Sequence, residues 1–329
     1  MKRLLAVGIV VLLVAGVGYV GFLRKPSGGE PVTFDVAPGQ TTAQIAQQLK
    51  EKGVIDNVLW FRLMAKLRRV DGHIQAGRYQ LRKGMGTQAA LDVLSGNAGE
   101  AGVEITIPEG FTLRQIAARI GSRTKIKPDD FVTAATNGSV RAEIEPPQTN
   151  SLEGLLFPQT YLVAERETAS QVAQRMVDEF TRATAPLDYA SPLERGLSRY
   201  QAVIVASLIE REAKVPEDRA KVAAVIYNRL ARHMRLQVDA TALYGLPEHK
   251  VPTQADLRRR SPYNTYLIPG LPPTPIASPG LASLDAAVHP AKIDALYYVV
   301  CAKNGKSCFT NSPAEFERLR RLSPAESRG

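Results

Sequence analysis

One stretch of this chain is written twice. Val36-Ala37-Pro38-Gly39-Gln40-Thr41-Thr42-Ala43-Gln44-Ile45-Ala46-Gln47-Gln48-Leu49 returns 71 residues later as Ile107-Pro108-Glu109-Gly110-Phe111-Thr112-Leu113-Arg114-Gln115-Ile116-Ala117-Ala118-Arg119-Ile120. Gly, Thr, Gln, Ile and Ala match in register. Each copy reads as a strand, a glycine turn, a threonine N-cap and an amphipathic helix. Between the copies the pattern predicts a helix over Val58 to Leu67, a strand over Gly77 to Leu81 and a helix over Thr87 to Leu94. Residues 32–147 are therefore expected to be small α/β modules, closed by a loop at Glu145-Pro146-Pro147.

A second feature sets the chain's address. Leu4 to Leu23 carry no charge and are flanked by Lys2-Arg3 and Arg24-Lys25. A helix needs about 20 apolar residues to span a bilayer. The apolar core of a cleaved signal peptide is shorter and ends in a small-residue site, which is missing here. The run is expected to be an uncleaved anchor over 1–25, with a linker over 26–31 and the rest of the chain outside the cytoplasm. With 329 residues, 44% of them hydrophobic, the remainder has material for two or three cores. The net charge of +10 suits lipid headgroups or an acidic polymer, and an exported location makes nucleic acid the poorest partner.

The two cysteines, Cys301 and Cys308, bracket Lys303-Asn304-Gly305-Lys306. Asn-Gly is a strong hairpin signal. A two-residue turn at Asn304-Gly305 would set Cys301 opposite Cys308, about 5.5 Å apart at Cα, within reach of a disulfide. An oxidising compartment would close it.

The half from 148 to 329 reads as mainly helical, over Ala169 to Ala183, Leu193 to Lys214 and Glu217 to Arg232, before a strand over Ala295 to Ala302. Its most informative residue is Glu210, which ends the apolar run Ala202 to Ile209 and is followed by Arg211-Glu212. A carboxylate in such a place is costly to ionise when buried, because desolvation favours the neutral acid, the form a general acid needs. The alternative is a helix end emerging into water. Helical spacing does not choose between Glu210 and Glu212, since both stripes behind them are mostly apolar. No nucleophile elbow, phosphate loop or metal-ligand spacing occurs, which leaves acid chemistry with polar partners and no cofactor.

The remaining motifs carry a resemblance. Ser151-Leu152-Glu153-Gly154-Leu155-Leu156-Phe157-Pro158-Gln159-Thr160-Tyr161, Ala206-Ser207-Leu208-Ile209-Glu210-Arg211-Glu212, Asn228-Arg229-Leu230, Met234-Arg235-Leu236-Gln237-Val238-Asp239, Pro262-Tyr263-Asn264-Thr265-Tyr266, Gly270 to Ile276 with Ser278-Pro279-Gly280, and Ala287-Val288-His289-Pro290 follow in order. Together they resemble the YceG-like family of membrane-anchored endolytic murein transglycosylases. The repeat modules resemble LysM, a β-α-α-β unit that binds N-acetylglucosamine polymers. The resemblance implies an α+β chain: an N-terminal transmembrane helix, LysM-like modules, and a mainly helical catalytic domain with a β-hairpin.

It also implies a place at the inner membrane on the periplasmic side, cleavage of nascent glycan strands to 1,6-anhydro ends, and contact with a peptidoglycan synthase. Glu210 matches the catalytic glutamate. Glu153 and Glu212 are further acid candidates. Asn228, Gln237, Asn264, Thr265 and Tyr266 offer neutral polar groups, Tyr244 and Tyr266 offer rings for sugars, and Asp239 with Arg229 is expected to pair. The competing readings are a non-catalytic glycan-binding scaffold and a hydrolase using water. Two histidines usual near the family's C-terminal end are absent here, and the cysteine pair stands in that region.

Overall fold

The computed structural model describes residues 29–323 apart from 69, 73, 96–101 and 248–250. The expected membrane-spanning run and most of the linker lie outside the described residues, and within these no helix is long and apolar enough to cross a membrane. The chain is mixed α/β, and its packing divides it after Val103 into two units.

The first unit contains β1 (Pro31–Val36), α1 (Thr42–Glu51), α2 (Val58–Leu67), β2 (Gly77–Arg82) and α3 (Gly86–Leu94). Gly39 turns at φ +80, a conformation that costs a residue with a Cβ. Thr41 then caps α1 in a reciprocal box with Gln44, and Asn57 caps α2. β1 runs antiparallel to β2, with Pro31 opposite Arg82 and Val36 opposite Gly77. The inward faces close a core around Phe34, Ile45, Leu49, Phe61, Leu81 and Leu91.

The second unit opens by repeating that plan. β3 (Gly102–Thr106) leads through Gly110, at φ +76, to Thr112 and its capping box with Gln115. α4 (Leu113–Gly121), α5 (Pro128–Ala134) and β4 (Thr160–Ala164) follow, and β4 pairs with β3. Both copies are thus β-α-α-β. The strand that completes the second copy lies beyond 147, so a boundary there would cut through the repeat. Residues Ile105 to Ala142 share one core with the helical remainder.

That remainder comprises α6 (Ala169–Thr184), α7 (Ala190–Glu194), α8 (Arg199–Glu212), α9 (Arg219–Ala231), α10 (Asp239–Leu243), α11 (Gln254–Arg258) and α12 (Leu281–Val288). The hairpin β5 (Tyr297–Val300) and β6 (Ser307–Thr310) and then α13 (Pro313–Arg321) complete it. α8 is the central element. Every residue from Ala202 to Ile209 is buried, as expected of a helix apolar all round and wrapped by others, and α9 and α12 pack along it.

Three local readings change. The helix expected over Leu193 to Lys214 is two, because Gly196 turns at φ +74 and Ser198 starts α8 with a capping box to Gln201. The segment from Glu217 begins as a 3-10 turn, Pro216–Asp218, before α9. Cys301 and Cys308 are bridged, with Cα atoms 5.6 Å apart, but they do not face each other in the ladder. Val299 is opposite Cys308 and Val300 opposite Ser307. A two-residue type I′ turn needs positive φ at both central residues. Gly305 has it at φ +89, whereas Asn304 does not. The chain uses a longer loop instead. Gly305 N–H donates to Ala302 O at 3.0 Å, and the Cys301 and Ala302 N–H groups both donate to Lys306 O, at 3.0 and 3.2 Å. Two residues opposing one is a bulge, and it slips the register.

Candidate active site

The C-terminal turn of α8 points its two glutamates at different surroundings. Successive helical positions differ by about 100°, so residues two apart face away from each other.

Glu210 is half-buried and faces the loop before α12. Its Oε2 accepts the Gly280 N–H at 3.0 Å. Gly110 lies on its Cγ, and Arg211 Nη1 donates to Gly110 O at 3.1 Å. The Gly110 and Ser278 loops are tied by Gly110 N–H to Ser278 O and Ser278 N–H to Phe111 O, both 2.8 Å. The Glu109 carboxylate rests on Gly280 so closely that a methyl group there would overlap it. Burial, and then the charge of Glu210, pushes the Glu109 carboxyl up, with Arg219 opposing. Glu109 is absent from the sequence-derived candidates. Its only signal is the repeat, where Pro38 holds the equivalent position.

Glu212 is also half-buried and faces α10 and the hairpin. Tyr298 Oη donates to its Oε2 at 2.9 Å. Burial is the main cause that holds the Glu212 carboxyl above the usual range, and the Asp239 charge adds to it. The Tyr298 hydrogen bond, Lys214 and the Ala240 N–H pull the other way. Tyr266 Oη donates to Asp239 Oδ1 at 2.6 Å. Gln237 begins this segment at φ 51, a region that few residues other than glycine adopt. Its N–H donates to Thr265 O at 3.1 Å. Gln237 and Asp239 are exposed and Tyr266 is half-buried, so the cluster opens at the surface. Of the polar residues expected around Glu210, Asp239 and Tyr266 lie at Glu212 instead.

Several expected contact residues build the frame. Arg229 does not pair with Asp239. Its Nε donates to Leu296 O at 2.6 Å and its Nη1 to Leu236 O at 2.7 Å, and its guanidinium lies 5.2 Å from the Tyr297 ring centre. A buried guanidinium with backbone carbonyls in reach spends its donors there. Asn228 Nδ2 donates to Ile293 O and Ala295 O, both at 2.9 Å. These two side chains hold the entry to β5. Asn264 donates to Asp256 O, Leu257 O and Arg259 O at 3.3, 3.1 and 2.8 Å. The Thr265 hydroxyl meets the Thr241 hydroxyl at 2.8 Å and accepts Val238 N–H at 3.0 Å. Both residues are fully buried, and together they shape the loop that delivers Tyr266 and Gln237.

Glu153 belongs to neither cluster. Buried at 3% exposure, it accepts the Leu113 N–H at 2.9 Å, at the start of α4, and the Tyr244 hydroxyl at 2.7 Å. Burial pushes its carboxyl up to about 7 against those hydrogen bonds. Tyr244 is committed to Glu153 and lies 4.4 Å from the Tyr263 ring. Among the described residues no group of His, Cys, Asp and Glu could hold a metal ion.

Comparison with known proteins agrees with this architecture. Residues 34–321 match the YceG-like family. A Bacillus subtilis (strain 168) protein named endolytic murein transglycosylase is 35% identical over 307 residues, covering 88% of this chain and 84% of that one. A Streptococcus pneumoniae protein of the same name is 29% identical over 321 residues, covering 87% of this chain and 57% of its own. The crystal structure of a YceG-like protein from Listeria monocytogenes superposes with a TM-score of 0.59 at 33% identity, over 88% of this chain and 99% of that one. The chain belongs to the YceG-like family.

Proposed function

We propose that this protein is an endolytic murein transglycosylase that cuts peptidoglycan glycan strands between N-acetylmuramic acid and N-acetylglucosamine without water. The names of its relatives support the reaction. One observation carries the choice of acid: Glu212 is the α8 glutamate that meets Tyr298 and the Asp239 segment, and burial with Asp239 favours its protonated form. The match to family motifs alone favoured Glu210, whose carboxylate is instead engaged by Gly280 and crowded by Glu109.

The chemistry follows from one proton and one hydroxyl. Glu212 gives its proton to the oxygen leaving C1 of the muramic acid, and the C1–O bond breaks. The C6 hydroxyl of the same sugar closes on C1, and its proton passes to the Glu212 carboxylate. The acid is restored and no water is consumed, so the product ends in a 1,6-anhydro ring. The Asp239 carboxylate, held by Tyr266, is assigned the role of favouring the positive charge that develops on the sugar. Hydrolytic glycosidases place a second carboxylate to act on water or on C1. Here the sugar supplies its own nucleophile.

The wider setting belongs to the same proposal. The uncharged run Leu4 to Leu23 would anchor the chain in the inner membrane by one helix, with the enzyme on the periplasmic side and a synthase as neighbour. The β-α-α-β order of both repeat copies supports the LysM resemblance and contact with glycan. Mass spectrometry of peptidoglycan digested by the full chain tests the reaction. Anhydro ends are expected. Reducing ends would make it a hydrolase, and uncut strands a scaffold. Glu212→Gln is expected to lower the rate about 10³-fold, and a greater loss in Glu210→Gln would return the role of acid to Glu210.

A further inference from the structure

Tyr298 takes no part in the scheme above, and no family motif singles it out for chemistry. Yet it is the side chain that grips the proposed acid, with its hydroxyl 2.9 Å from Glu212 Oε2. The strand that carries it is fixed from several directions. Asn228 and Arg229 hold the chain just before β5. Ser307 N–H, on β6, donates to the buried Asp218 Oδ2 at 2.7 Å. The turn glycine, Gly305, lies against the Lys214 side chain, two residues past Glu212. The Cys301–Cys308 bridge closes the hairpin beside it. Tyr297 faces Arg229 and Phe316 instead, as strand alternation requires. The hairpin therefore presents one hydroxyl to one carboxyl.

We propose that Tyr298 is a positioning residue for Glu212: its hydroxyl occupies Oε2, so that the proton to be transferred resides on Oε1, turned toward the substrate. A carboxylic acid has one O–H, and a donor bound to one oxygen favours that oxygen as the carbonyl, the better acceptor, and the other as the site of the proton. A general acid misplaced by about 1 Å loses much of its effect. The inference rests on Glu212 being the acid. The same hydrogen bond favours the ionised carboxyl and opposes burial and the charge of Asp239. Lys214 acts with the hydrogen bond, and Arg229 and Tyr266 are further charged and titratable groups around the pair.

The test is Tyr298→Phe in the full chain, assayed on glycan strands across pH beside wild type and Glu212→Gln. The substitution removes one oxygen and keeps the ring that packs on Phe309. The variant is expected to lose about tenfold in kcat with little change in KM. The high-pH limb of its profile should move upward by about one pH unit. A merely structural tyrosine would not move that limb. Cys301→Ser with Cys308→Ser, which loosens the hairpin without touching Tyr298, should shift the limb the same way and keeps the idea testable if the phenylalanine variant misfolds. If wild type cleaves, Glu212→Gln does not, and the hairpin variants that fold keep the wild-type kcat and limb, the inference is overturned. If wild type fails to cleave, or Glu212→Gln cleaves normally, the functional reading falls, and this inference with it.

Discussion

Burial pushes both the Glu153 and the Glu212 carboxyl toward protonation, with different consequences. Glu153 sits in the larger unit's interior as a cap, with Leu113 N–H and Tyr244 Oη as its partners. Its folded value of about 7 lies above the ordinary 4.5. The folded state therefore binds the proton more tightly than the unfolded chain. Stability from this group is fully present below about pH 4.5 and is lost as pH rises through about 7. The span corresponds to at most about 3 kcal/mol. Urea unfolding at a series of pH values should show that loss in wild type, and Glu153→Gln, which has no proton to lose, should flatten it. An unchanged slope in the variant would remove Glu153 as its source. Cleavage by Glu153→Gln should persist, since the residue touches neither α8 glutamate. In the sequence Glu153 and both glutamates of α8 stand out, and the motif resemblance points to Glu210 among them. Their difference lies in Tyr298, Asp239, Gly280 and Leu113, all remote in the chain, and no local pattern encodes such contacts.

At the scale of elements, what was legible is what neighbouring residues decide. Asn57 and the Thr41 and Thr112 boxes start helices where the pattern puts them, because a cap is satisfied within one turn. The same logic applied to Gly196 and Ser198-x-x-Gln201 would have split the helix before α8. The hairpin register failed because Asn-Gly serves two turn types, and only the φ of Asn304 separates them. Two consequences can be measured. Removing the cystine by Cys301→Ser with Cys308→Ser reopens a short loop and should cost about 2 kcal/mol in denaturant unfolding. A wild-type midpoint in the double variant would mean that the bulged ladder suffices alone. Gly154 is the second case. It turns at φ +78, and a methyl group would overlap Pro275. Gly154→Ala should therefore destabilise the larger unit by about 2 kcal/mol or more. An alanine variant as stable as wild type would show that the Pro275 loop yields easily.

For the whole molecule the decisive fact is that one repeated motif ends up in two different cores. The first copy buries Phe34, Ile45 and Leu49 with Phe61 and Leu91. The second buries Ile105, Ile116 and Ile120 among Phe131, Phe180 and the α8 residues. Sequence similarity placed both copies in one region ending near 147. Packing separates them after Val103 because β4, supplied from beyond the boundary, completes the second copy. A repeat reports common local structure and is silent about which core receives it. Two closed cores imply two cooperative transitions, since each unit gains most of its stability from its own buried apolar surface. Calorimetry of the full chain should resolve them. Phe61→Ala removes a fully buried ring from the first core, which typically costs about 3–5 kcal/mol, and should lower one transition alone. Phe180→Ala should lower only the other, together with the temperature at which glycan cleavage is lost. If either substitution moved both transitions equally, the units would share one cooperative fold, and the division after Val103 would describe geometry without energetic meaning.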